Sequence, residues 1–127
     1  MRKAIIVELL EITEFGNRVR EAFTAPTNYT TPYCTVKMTG ENPVSYNKKA
    51  SPLNFEVYIY ANPASFTLLD SLEMKVRKKL HLQTLLTDDS PAKIFRPEYI
   101  QTLADWFDDQ RNLFMKTLYF NIPLSRT

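Results

Sequence analysis

Residues 53 to 60 alternate in polarity: Leu53, Phe55, Val57 and Ile59 share one parity, and Asn54, Glu56, Tyr58 and Tyr60 take the other. This is the period-two mark of a half-buried strand. Such an apolar face needs a cover, and the next segment supplies one. Phe66, Leu69, Leu72, Val76 and Leu80 recur at spacings of three and four, a stripe down one side of a helix. The pattern predicts a long helix laid across a sheet.

The flanking segments extend this plan. Ile5, Ile6, Leu9 and Leu10 have helical spacing, and Gly16 stands where a helix can end in a left-handed residue, which predicts a first amphipathic helix. Val19 and Phe23, with Glu21 between them, predict an edge strand within 17–23. Thr24 to Pro32 reads as a loop bracketed by Pro26 and Pro32. Tyr33 to Met38 resumes alternation, with Cys34, Val36 and Met38 assigned to the core and Thr35 and Lys37 facing out, and it is expected to pair with 53–60. The connection from Thr39 to Pro52 is far longer than a hairpin turn, which makes it either a functional loop or a surface excursion.

Asn62 and Pro63 open the second helix, with Asn62, Ser65 or Thr67 available as caps. Asp70 near its start and Lys75, Arg77, Lys78 and Lys79 near its end suit the helix dipole, and Glu73 stands four residues before Arg77. Beyond Gln83 two readings compete. Pro97, Tyr99, Ile100, Leu103, Ala104 and Phe107 have helical spacing, whereas Lys93 to Tyr99 reads as a strand leading to a turn at Asp108 and Asp109; the strand is preferred. At the C-terminal end Phe114, Leu118, Phe120 and Ile122 share one parity, and Leu113, Met115 and Tyr119 the other. A strand apolar on both faces is central, or has its second face covered by another subunit. The fold class is α+β: a small, mostly antiparallel β-sheet packed against an N-terminal helix and a longer central helix.

At 127 residues the chain fits a single domain, 1–127, with enough burial for a core without staples. Its formal charge of +2 is too small to indicate a nucleic-acid binder by itself. The single cysteine, Cys34, excludes a disulfide within one chain and has no companion for a zinc site. Glu8 and Glu11 interrupt the apolar run after Arg2 and Lys3, so a signal peptide is not expected, and no stretch is long enough to cross a bilayer. The chain is expected to be soluble and made in the cytoplasm, and the Asn28-Tyr29-Thr30 acceptor triplet is then fortuitous.

The residues that carry chemistry do not assemble into a motif. His81, the one histidine, stands at a helix end without a serine or cysteine partner at a motif spacing. Gly16 and Gly40 are the two glycines, and neither belongs to a phosphate-binding loop. Asp88 with Asp89, and Asp105 with Asp108 and Asp109, match no calcium loop. No catalytic residue, cofactor or metal is expected. What stands out is an excess of aromatic residues in loops and at strand ends: Tyr29, Tyr33, Tyr46, Tyr58, Tyr60, Trp106 and Tyr119. Aromatic rings bury much area at small entropic cost and are enriched at protein interfaces. Candidate interface residues are Tyr29, Tyr46, Lys48, Lys49, Trp106 and Tyr119.

The order of elements resembles the tail-terminator or tail-completion proteins of long-tailed bacteriophages. The resemblance lies in an N-terminal helix (Arg2 to Thr13), Ala25-Pro26, Pro32-Tyr33-Cys34-Thr35-Val36, the strand Leu53 to Tyr60, the helix Phe66 to Leu82, and the ending Phe120-Asn121-Ile122-Pro123. It implies a small sheet packed with helices, a hexameric ring capping the tail tube, and a surface for the head connector. It also implies that the loop Thr39 to Pro52 projects toward a neighbouring subunit, the tail tube protein or the head-tail connector protein. The resemblance brings no catalytic residues and no cofactor, and places the protein in the virion tail or neck, assembled in the bacterial host cytoplasm, without membrane or specific nucleic-acid binding. Other readings are a different neck or head-completion protein, a small nucleic-acid-binding module using Lys48, Lys49 and Lys75 to Lys79, and an enzyme built on Asp105, Asp108 or His81.

Overall fold

The computed structural model describes residues 2–21, 31–41, 53–62, 66–87, 91–103, 105–108 and 112–123. Helix α1 spans Arg2–Leu10 and is followed by a 3-10 turn at Thr13–Phe15. Strands β1 (Val19–Glu21), β2 (Tyr33–Glu41) and β3 (Leu53–Ala61) precede helix α2 (Phe66–Leu80). Five strands follow: β4 (Leu85–Leu86), β5 (Ile94–Phe95), β6 (Glu98–Thr102), β7 (Trp106–Asp108) and β8 (Leu113–Ile122). The main sheet runs β1-β2-β3-β8-β6, with β7 pairing the other half of β8; β4 and β5 form a separate two-stranded ribbon. All pairs in the main sheet are antiparallel except β1 with β2. The fold is α+β, with both helices against one face of the sheet.

Directly opposed residues share a face, so the register sorts the side chains. Val36, Val57 and Leu118 form one cross-strand row, and Met38, Phe55, Phe120 and Tyr99 the next, all toward the helices. The Phe55 and Phe120 rings stack at 5.0 Å. From α2, Leu69, Leu72, Val76 and Leu80 are wholly buried over this face, and Ile5, Leu9, Ile12 and Phe15 continue the layer from the N-terminal segment. Each such apolar side chain contributes roughly 1.5–3 kcal/mol. Phe66, expected at the head of the same stripe, is 49% exposed, with its ring against Phe114 of β8 at 4.3 Å.

Several expected boundaries move. The first helix ends at Leu10, and Gly16 closes the 3-10 turn, its N–H donating to Thr13 O at 3.0 Å. Strand β2 runs on to Glu41, so Thr39, Gly40 and Glu41 belong to it, while 42–52 lie outside the described residues, as do Ala25 and Pro26. Thr35 does face away from the helices, yet it is buried, opposite Tyr58 on the tyrosine-lined side of the sheet. The strand preferred for 93–99 is present as β5 and the start of β6, with a bulge between Tyr99 and Gln101. β8 lies between β3 and the collinear β6 and β7, the central position expected of a strand apolar on both faces.

Among the described residues, positive φ occurs at Gly16, Leu82 and Asn112. Gly16 has φ 59° and ψ −123°, a region that residues with a Cβ avoid. Leu82 follows α2 at φ 57°, held there by its N–H to Pro97 O at 2.7 Å and by Gln83 N–H to Leu80 O at 3.2 Å. A branched side chain pays a steric penalty in this left-handed cap that glycine avoids. We therefore expect Gly16→Ala to lower stability by about 1–2 kcal/mol and Leu82→Gly to raise it by about 1 kcal/mol. Urea midpoints of the two variants should move in opposite directions; movement in the same direction contradicts this account.

Candidate assembly surface

Lys116 lies on the inward parity of β8, opposite Ile59, and the whole residue is 8% exposed. Burying an ammonium group there requires counter-charges. Its Nζ reaches Asp105 Oδ1 at 3.0 Å, Asp70 Oδ1 at 3.1 Å and Glu73 Oε1 at 3.4 Å. Burial by itself would lower the pKa of Lys116. Hydrogen bonds to Asp105 and Asp70, with Glu73 close by, more than offset that and hold it above its ordinary 10.5. The group stays protonated and is a clamp rather than a nucleophile. The network continues outward: Thr102 Oγ1 donates to Glu73 Oε2 at 2.8 Å, shares a hydrogen bond with the Tyr99 hydroxyl at 2.5 Å, and Arg77 lies over the Tyr99 ring at 4.1 Å. His81 Nδ1 accepts the Tyr99 N–H at 2.9 Å, so the histidine does support the end of α2, by tying it to β6.

The opposite face of the sheet carries the aromatic excess. Tyr33, Tyr60, Met115 and Trp106 form one row across β2, β3, β8 and β7. The Tyr33 and Tyr60 rings stack at 4.5 Å. Tyr119 opposes Glu56 on the same face, four residues along β8 from Met115, or roughly 13 Å. The structure thus brings Trp106 and Tyr119 onto one surface; Tyr29, Tyr46, Lys48 and Lys49 lie outside the described residues. Tyr58 donates to the Glu56 carboxylate. Burial and that carboxylate raise the pKa of both Tyr58 and Tyr119.

The basic end of α2 is paired rather than presented. Lys75 bonds Glu14, Lys79 bonds Glu11 at 2.7 Å, and Arg77 reaches Glu73 at 3.8 Å, the expected i,i+4 pair. These contacts pair Lys75, Lys79 and Arg77 with carboxylates, and the groove of about 470 Å³ beside them is lined by Glu8, Glu11 and Glu14 together with Lys75, Lys78 and Lys79, a mixed surface rather than a basic one. Cys34 is wholly buried, and burial pushes its thiol pKa up. Among the described residues no group of three His, Cys, Asp or Glu is placed to hold a metal ion; Asp88, Asp89 and Asp109 lie outside them. No described helix is long and apolar enough to cross a membrane.

Two apolar areas went unrecognised in the sequence. Phe66, Phe107 and Phe114 cluster at the start of α2 on the helix side of the sheet, with ring centroids 4.3 Å and 5.1 Å apart, while the exposed Trp106 next to Phe107 in sequence is on the other face. Val7 of α1 and Leu86 of β4 line a second groove of about 390 Å³, with Ile94 paired to Leu86 beside it, and all three side chains are exposed. Val7 is visible as an apolar residue off the core stripe of α1. The β4–β5 ribbon is too short to leave a periodic signal.

No protein-family model matches this chain, and comparison with curated proteins found no match. Among solved structures, the chain is similar to one in a structure described as "Virion of native gene transfer agent (GTA) particle", with a TM-score of 0.69 and 13% identity. The alignment covers 97% of this chain and 92% of that one. At that identity the likeness is one of fold.

The clamp has a pH signature. A lysine whose pKa is raised on folding contributes stability that is complete below the unfolded value and disappears as pH climbs through the folded one. Lys116→Met should cost about 2 kcal/mol at neutral pH, with the gap to wild type closing only above pH 10.5. The raised Tyr58 and Tyr119 also destabilise the fold at alkaline pH, but equally in both proteins, so the difference between their urea midpoints isolates Lys116. A gap that stays constant past pH 12 or closes below pH 9 contradicts the assignment.

Proposed function

We propose that this chain is a structural protein of a phage or phage-like particle, and specifically a tail-completion or tail-terminator protein. The observation that carries the reading is the near end-to-end fold likeness, at a TM-score of 0.69, to a chain of a gene transfer agent virion. The order of elements in the sequence, which resembles that family, points the same way. The chemistry of the molecule is consistent with it: the buried Lys116 ammonium is held by the carboxylates of Asp70, Glu73 and Asp105, and the sheet face away from the helices is lined with tyrosine, methionine and tryptophan.

In this reading the protein works by shape. Copies form a ring, hexameric in the resembled family, at the head-proximal end of the tail tube, because a pair of unlike patches repeated about an axis closes on itself. Ring closure covers the last exposed interface of tube protein and so ends growth. The other side of the ring offers the joining surface to the head connector. No bond-making step is assigned to the chain.

Electron microscopy of particles assembled without this protein tests the reading. Overlong tails are the expected result. Tails of normal length beside leaking heads indicate a head-completion role, and particles with normal tails and full, joined heads remove the neck assignment altogether.

A further inference from the structure

We infer, independently of the neck reading, that the sheet edge formed by β6 and β7 takes up an extended strand of a different protein, apolar at alternate positions and carrying lysine or arginine. Among the described residues, β8 flanks these strands on one side and no strand flanks them on the other. The first part of the edge is covered by the end of α2: the Tyr99 N–H donates to His81 Nδ1 at 2.9 Å, and Pro97 O accepts from the Leu82 N–H at 2.7 Å. That cover stops at Tyr99. The Leu103 N–H donates to Thr117 O at 2.9 Å, toward β8, so strand alternation turns the Thr102 N–H to the open side. Ile100, Leu103, Trp106 and Phe107, all on this stretch, are 41–55% exposed. Trp106 lies on the tyrosine-lined face and Phe107 on the helix side. An added strand thus gains main-chain hydrogen bonds from the edge and apolar contacts on both faces.

Open edges are ordinarily blunted by lysine, proline or a short strand. The far side of the sheet follows that rule: β1 has three residues, its Glu21 pairs with Arg2 of α1 at 3.4 Å, and Lys37 and Thr39 of β2 stand exposed beyond it. Between Glu98 and Asp108, by contrast, the chain has no lysine, arginine, histidine or proline. Charge selects the occupant. Glu98, Asp105 and Asp108 belong to the edge segment, and Asp70 stands close to Asp105, the two lying 3.1 and 3.0 Å from the same Lys116 Nζ. The neighbouring cations are committed: Lys116 is held by Asp70, Glu73 and Asp105, and Arg77 reaches Glu73 at 3.8 Å while lying over the Tyr99 ring. The edge is therefore acidic and attracts a strand that bears cations. Pairing it with the same edge of a second copy sets Glu98, Asp105 and Asp108 against their own duplicates, and the far edge of a second copy is closed by the Arg2–Glu21 pair. The complementary strand comes from another protein.

Trp106 is the only tryptophan in the chain, so its emission reports on this edge alone. The probes are three short peptides: alternating valine and lysine, alternating valine and glutamate, and the valine–lysine peptide with its amides N-methylated. The valine–lysine peptide should shift Trp106 emission to the blue and protect the Thr102 amide from hydrogen exchange. The other two should bind about tenfold more weakly or worse, one for its charge and the other for its lost main-chain donors. Leu103→Lys, which places a like charge on the edge, should weaken the valine–lysine peptide about tenfold. Leu86→Lys, at a similarly exposed apolar position off the edge, should leave its binding unchanged, with thermal unfolding checking that both variants fold. A valine–lysine peptide that fails to bind at millimolar concentration overturns the inference, and so does an N-methylated or glutamate peptide that binds as tightly. Wild type that self-associates with the same emission shift also overturns it, by giving the edge to a second copy. None of these outcomes depends on tail length, so this inference and the neck reading fail separately.

Discussion

A single ammonium group on the buried side of a central strand constrains how this molecule is put together. Lys116 interrupts the apolar parity of β8 opposite Ile59, where a lone cation is untenable. Its three carboxylates arrive from different places: Asp70 and Glu73 from successive turns of α2, and Asp105 from the short break between β6 and β7. All three must be in register for the strand to be buried at all. The ion cluster therefore specifies how α2 crosses the sheet and where the collinear pair β6 and β7 is broken, in a layer whose other members are interchangeable hydrocarbon. The cluster of Phe66, Phe107 and Phe114 inherits its position from that clamp, since Asp105 stands two residues before Phe107 and Lys116 two residues after Phe114.

Elements with several periods of pattern were legible from sequence. Leu53 to Ala61 alternates through its whole length, and the buried stripe of α2 repeats through Leu69, Leu72, Val76 and Leu80; both recur often enough to define a period. The edge strand at Val19 was also legible, though only three residues form it. Strands of two or three residues, such as β4, β5 and β7, carry no period, and their pairing is imposed by tertiary context. Helix spacing in Pro97 to Phe107 competed with the strand reading because Tyr99, Leu103 and Phe107 are four apart, yet in the structure they fall on β6, the break after it, and β7.

The surface was less readable than the core. Trp106 and Tyr119 could be singled out as aromatic residues, but only the register of β8 with β3 and β7 puts them on one face. The role of Lys116 was missed for a similar reason. A polar residue at a core parity is the signal, and it was passed over because the surrounding residues made the strand apolar on both sides. The exposed Val7 and Leu86 come together only once α1 lies beside the β4–β5 ribbon, a contact between segments separated by most of the chain.

The burial of Cys34 reaches beyond its packing. It is the only sulfhydryl in the sequence, wholly enclosed between β1 and β3, with its ionisation suppressed. Thiolate is the species that reacts with oxidants and attacks disulfides, so Cys34 as folded is a poor handle for a cross-link to another chain, and its packing is insulated from the redox poise of its surroundings.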